Sequence, residues 1–221
     1  MMNLLKLELK NRVFIILIII LSFTINTICF SEDFNDFQNS MPGPIALKDS
    51  NLIVTGDSFA GVFCEFEKDK DLIVYGYARA GCTIEQNQLI MEEALNFKGK
   101  NVLISIGVND QYMETPPYRF EYIMRSLLNL SISKNKKVYF HSYLRYFSNS
   151  YFQKKFSAIE YDSIIKRLCS EYINAYYIDV KDLENPVYIS EDNIHYNSKF
   201  YDKLYERLIN KMIMVENSKN G

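Results

Sequence analysis

The stretch Asn51-Leu-Ile-Val-Thr-Gly-Asp-Ser-Phe-Ala-Gly61 is an apolar run that stops abruptly at Gly56, Asp57 and Ser58. Short continuous apolar runs are expected where helices cover both faces of a sheet. A hydroxyl just beyond such a run is delivered to the edge of the sheet. Ser58 is therefore a candidate nucleophile. It is equally a candidate helix cap, because serine is a favoured N-cap residue. The rest of the chain decides between the two, by whether it supplies partners.

Outward from this stretch, strands and helices alternate. Apolar runs at Leu52–Thr55, Leu72–Tyr77, Asn101–Ile106, Lys137–Tyr143 and Ala175–Val180 read as five strands. Between them, apolar residues recur at helical spacing. Phe120, Ile123, Met124, Leu127 and Leu128 make one stripe, and Tyr161, Ile164, Ile165, Leu168, Cys169 and Tyr172 a second. Tyr201, Leu204, Tyr205, Leu208, Ile209 and Met212 make a third. A further helix over Ile84–Phe97 is expected to turn Leu89, Ile90, Ala94 and Leu95 inward. Alternation of this kind predicts an α/β fold in three layers, with a doubly wound, mostly parallel five-stranded sheet. In such sheets, reactive groups gather outside the C-terminal ends of the strands.

Those ends carry Gly56-Asp57-Ser58, then Arg79-Ala80-Gly81-Cys82-Thr83, then Gly107-Val108-Asn109-Asp110, and finally Asp192-Asn193-Ile194-His195 before the last helix. Each motif alone is weak; together they face one crevice. A serine hydroxyl needs an adjacent base to act at neutral pH. The chain has 2 histidines. His195 precedes a helix and can lean over the strand ends, whereas His141 lies inside a strand and reads as a packed, hydrogen-bonded residue. Asp192 can accept the proton on the far imidazole nitrogen and fix the tautomer. Backbone N–H groups at Ser58 and Gly81, with the Asn109 amide, can receive a developing oxyanion. Asp57 and Asp110 read as turn-bracing carboxylates. Two other sites fail on the residues present. Ala60 breaks the Gly-x-Ser-x-Gly elbow of α/β-hydrolases, and neither a phosphate-binding loop nor a Gly-x-Gly-x-x-Gly turn occurs.

In these motifs and their order, the chain from Asn51 to about Met214 resembles the SGNH hydrolases of the GDSL esterase/lipase superfamily. Phe59, Asn193 and Tyr196 depart from the family's commoner residues. The resemblance implies a flavodoxin-like fold and a serine esterase without a cofactor. Ser58, Asp192 and His195 would be catalytic, and Ser58, Gly81 and Asn109 would form the oxyanion hole. The substrate implied is a small acyl ester, with O-acetyl groups on an extracellular glycan as one form. Acetyl transfer, lysophospholipase and thioesterase activities lie in the same range. A non-catalytic, membrane-tethered glycan-binding or scaffold protein is the contrasting reading.

With 221 residues, 48% of them hydrophobic, the chain can build one sizeable core. Its formal net charge of −2 argues against a nucleic-acid partner. Lys6, Lys10 and Arg12 precede the apolar Val13–Leu21, and a more polar segment follows to Phe30. That order describes a signal peptide or signal anchor over residues 1–30. It predicts an extracytoplasmic location, with membrane contact only through this segment. Residues 31–50, with Pro42, Gly43 and Pro44, read as a linker, and residues 51–221 as the hydrolase domain. Cys64, Cys82 and Cys169 form neither a disulfide framework nor a zinc motif. A Cys64–Cys82 bridge stays open, and Cys169 is expected in the core. Tyr143–Phe156, rich in aromatic residues, reads either as a substrate platform or as an ordinary packed loop.

Overall fold

The computed structural model describes residues 51–67, 73–142, 156–191 and 195–218. The expected leader, the linker, Asp192 and nearly all of the aromatic segment 143–156 lie outside the described residues.

Five strands form a single sheet: β1 (Asn51–Gly56), β2 (Ile73–Ala78), β3 (Asn101–Ser105), β4 (Lys137–His141) and β5 (Ala175–Ile178). Every pairing is parallel, in the order β2-β1-β3-β4-β5. The helices are α1 (Ser58–Glu67), α2 (Ile84–Asn96), the short α3 (Val108–Tyr112), α4 (Pro117–Ser133), α5 (Ala158–Glu171) and α6 (Ser198–Asn217). The all-parallel sheet has the doubly wound form read from the sequence.

Alternation along the strands creates two cores. Ile53, Val102, Ile104, Val138 and Phe140 pack with α2, α4 and α5. Leu52, Val54, Leu103 and Tyr139 pack on the other face with α1 and α6. The apolar stripe of α4 is buried as its spacing predicts, whereas Cys169 and Tyr172 in and after α5, and Tyr205, Ile209 and Met212 on α6, are only partly buried. Cys64, Cys82 and Cys169 remain thiols, so no Cys64–Cys82 bridge forms.

The inward face of α2 differs from the expectation. Ile84, Asn87, Met91, Ala94 and Leu95 are buried, Ile90 is only partly buried, and Leu89 is 78% exposed. Leu89 lies five residues after Ile84, which rotates it about 140° away from the buried stripe. Ala94 and Leu95 fit both registers, and the true one depends on Met91 and the polar Asn87.

The strand order changes direction between β1 and β3, because chain crossovers leave β1 toward opposite edges. A crevice opens at such a switch point. Ser58 follows β1 and Asn109 follows β3, so both lie at this opening.

Candidate active site

Backbone bonds draw three loops together at the crevice. Asp57 N donates to Ser105 O at 3.0 Å, and Arg79 N donates to Gly56 O at 2.9 Å. Gly56 has φ +140°, and a Cβ there would sit 1.8 Å from the Ser105 carbonyl oxygen. Only glycine lets β1 end this close to β3.

Ser58 opens α1, but it is not the cap. Asp57 Oδ1 accepts from Phe59 N at 3.0 Å, the bond an N-cap side chain makes. The Ser58 hydroxyl instead lies 2.9 Å from His195 Nε2. A nucleophile and a base at this separation can exchange a proton. His195 lies in the turn before α6. Its carbonyl accepts from Ser190 N at 2.8 Å, and Ile189 and Tyr196 form an antiparallel bridge beside it. Asn197 braces the same turn by donating from Nδ2 to Val187 O at 2.9 Å and Ile189 O at 3.1 Å.

The Phe59 ring lies 5.3 Å from the His195 ring and 5.6 Å, edge-on, from Tyr196. Tyr196 stacks in turn on Phe200 at 4.0 Å. Two of the sequence departures, Phe59 and Tyr196, therefore touch each other, and Phe59 also touches the imidazole. Their contact joins residues far apart in the chain, so neither departure alone points to the other. Asp192, the expected partner of His195, lies outside the described residues.

Gly81 lies in the loop after β2, and Asn109 in α3 after β3. Gly81 has φ +67°, and a Cβ there would meet no atom within 4 Å. Its turn is pinned by Asn87, whose Nδ2 donates to Arg79 O at 3.4 Å and to Cys82 O at 3.5 Å. Thr83 caps α2 in a reciprocal box with Gln86. Asp110 accepts from Ile84 N at 2.9 Å, tying the third motif to the second. Asn109 Nδ2 is 3.4 Å from Asp57 Oδ2, which holds the amide beside the start of α1. The hidden polar Asn87 is a support that periodicity alone discounts as a misplaced polar residue.

Asp57 and Asp110 are both fully buried. Burial raises the Asp57 pKa to about 7, opposed by the bond from Phe59 N and reinforced by repulsion from Asp110. Burial likewise raises Asp110 to about 7, against the bond from Ile84 N.

A second Ser–His pair lies one strand over. Ser105 Oγ is 2.8 Å from His141 Nε2, and His141 Nδ1 is 3.0 Å from Ser142 O. Both residues sit within strands, Ser105 is only 4% exposed, and burial lowers the His141 pKa. His141 is the packed, hydrogen-bonded residue read from the sequence. His195 instead lines an open groove of about 530 Å³ with Val62 and Phe66. Among the described residues, no three His, Cys, Asp or Glu side chains gather as metal ligands would.

Comparison with known proteins places the fold. No protein-family model and no curated protein sequence matches the chain. Solved structures do. A GDSL-like lipase from Bacteroides thetaiotaomicron superposes with a TM-score of 0.62 at 17% identity, over 83% of this chain and 96% of its own. A variant of an acetyl-xylooligosaccharide esterase from Geobacillus gives 0.59 at 16% identity, over 76% and 95%. A psychrotrophic esterase from Pseudoalteromonas, solved with monoethylphosphonate as inhibitor, gives 0.57 at 14% identity, over 74% and 99%. The fold is that of the SGNH, or GDSL, hydrolases. The resemblance read from four short motifs therefore holds at the level of the fold.

Proposed function

We propose that the protein is a serine esterase of the SGNH type, with Ser58 as nucleophile and His195 as general base. The observation that carries this reading is the 2.9 Å contact between Ser58 Oγ and His195 Nε2 at the switch-point crevice. Ser58 Oγ attacks the ester carbonyl carbon while its proton passes to His195 Nε2. The carbonyl oxygen becomes an oxyanion facing Ser58 N, Gly81 N and the Asn109 amide. His195 then gives its proton to the departing alcohol, leaving an acyl group on Ser58. Water repeats the sequence in reverse roles and releases the acid. Asp192 is assigned to hold the proton-bearing Nδ1 of His195. An acyl acceptor other than water would turn the same intermediate into acyl transfer.

The substrate is a small acyl ester, and an O-acetylated glycan is the favoured form. Two structural neighbours support this by their own activities, an acetyl-xylooligosaccharide esterase and an acetyl xylan esterase. The basic and apolar N-terminal segment supports action outside the cytoplasm. The test is release of p-nitrophenol from its acetate ester. Ser58→Ala is expected to lower kcat by at least about a thousandfold while the protein stays folded. Equal activity in both proteins refutes the assignment.

A further inference from the structure

The groove beside His195 has a direction and a chemistry of its own. Ser58, Val62 and Phe66 are spaced by four residues, so they share one face of α1. The line from Ser58 to Phe66 spans about 12 Å of helix. Val62 and Phe66 form one wall of the groove, and Ile189, Glu191, His195 and Asn197 line it from the turn before α6. Its volume of about 530 Å³ lies within the range of small-molecule sites, about 300–1,000 Å³. Of the proposed catalytic and oxyanion groups, His195 is a wall of this groove, whereas Ser58, Gly81 and Asn109 are not.

That placement separates the two halves of an ester. In a tetrahedral intermediate on Ser58, the oxyanion points toward Gly81 and Asn109. The departing oxygen must lie within reach of His195, because His195 protonates it. A groove walled by His195, and not by the oxyanion donors, therefore lies on the departing alcohol's side.

The walls also select the alcohol. Phe66 is 42% exposed, yet its ring is braced by stacking on Tyr201 at 5.5 Å. It offers a flat, fixed apolar face. Val62 and Ile189 add apolar walls, while Glu191, Ser190 and Ser198 are polar residues of the lining. Glu191 places an acidic side chain among the walls, which disfavours a phosphate-bearing alcohol by like-charge repulsion. A ring with one apolar face and a rim of hydroxyls matches both kinds of wall.

We infer that this groove is the subsite for the alcohol half of the substrate, and that it takes a neutral glycoside stacked on Phe66. The inference rests on the esterase reading above for its direction. The test compares kcat/KM for monoacetylated xylobiose with that for ethyl acetate, both followed by acid release at constant pH. In Phe66→Ala the ratio is expected to fall about tenfold relative to wild type, and in Phe66→Tyr to recover. A ratio that stays constant overturns the inference. So does a loss in Phe66→Ala of discrimination between ethyl butyrate and ethyl acetate, which would make the groove an acyl-chain site. So does cleavage of lysophosphatidylcholine in preference to the sugar ester. A second measurement, saturation-transfer NMR of xylobiose with Ser58→Ala protein, does not need turnover. Binding that is lost on adding Phe66→Ala supports the sugar subsite even if no ester is cleaved, in which case the esterase reading alone fails. Ester cleavage without such binding, and with a constant ratio, overturns the subsite and leaves the esterase reading standing.

Discussion

Gly56 and Gly81 both have positive φ, but the structure asks different things of them. At Gly56 a side chain would collide with a backbone carbonyl, 1.8 Å from the new Cβ, and that carbonyl cannot retreat without parting β1 from β3. At Gly81 the added atom meets open space, and only the left-handed backbone opposes it. Gly56→Ala is therefore expected to destabilise the protein by on the order of 4 kcal/mol or more. Gly81→Ala is expected to cost about 1–2 kcal/mol. Urea denaturation midpoints check both, and a larger loss at Gly81 would contradict the assignment. Single residues were also where the sequence was least decisive. Asp57 and Ser58 are both good cap residues, and a shift of one position exchanges their roles. Only the bond from Phe59 N to Asp57 shows which of them caps the helix and which faces His195.

At the scale of elements, the start of α2 controls the loop that carries Gly81. Thr83 and Gln86 satisfy each other's backbone donors, and Asn87 and Asp110 fasten the same turn from below. Thr83→Ala removes one half of the capping box and is expected to destabilise the protein by about 1 kcal/mol. Because the turn would also loosen at Gly81, kcat should fall more than KM rises; thermal unfolding and steady-state kinetics on one sample check both. A change in stability with no change in kcat would detach this cap from the site. The five strands were legible because each is a short apolar run closed by polar or glycine residues. The stripes of α4, α5 and α6 were legible because apolar residues repeat on one face. The face of α2 was not, since its buried side includes Asn87, whose partners are the carbonyls of a distant turn, while Leu89 points to solvent.

The whole molecule joins these parts through a buried acid pair. Asp57 caps α1 and meets Asn109, while Asp110 caps the entry to α2, so the two carboxyls tie the first three motifs together. Their pKa values are raised to about 7 by burial. A carboxyl raised in the folded state favours folding most below its ordinary pKa. That contribution is lost as pH rises through the raised value. The protein is therefore expected to lose stability from these groups between about pH 4 and pH 7. Asp110→Asn, which keeps an oxygen acceptor for Ile84 N, should flatten that decline. Denaturation midpoints at pH 5 and pH 8 check this, and an equal slope in both proteins would contradict it. The order of motifs along the chain was readable because a doubly wound sheet places successive strand ends in one crevice. The pairing of Phe59 with Tyr196 across that crevice was not, because it joins residues far apart in sequence that only the fold brings into contact.

In the proposed function Ser58, and not the equally close-paired Ser105, is the reactive serine. Peptide mass mapping after exposure to a fluorophosphonate probe tests it most directly. One adduct is expected, on Ser58, formed at least about a hundredfold more slowly in His195→Ala. An adduct on Ser105, or none on the folded protein, would contradict it.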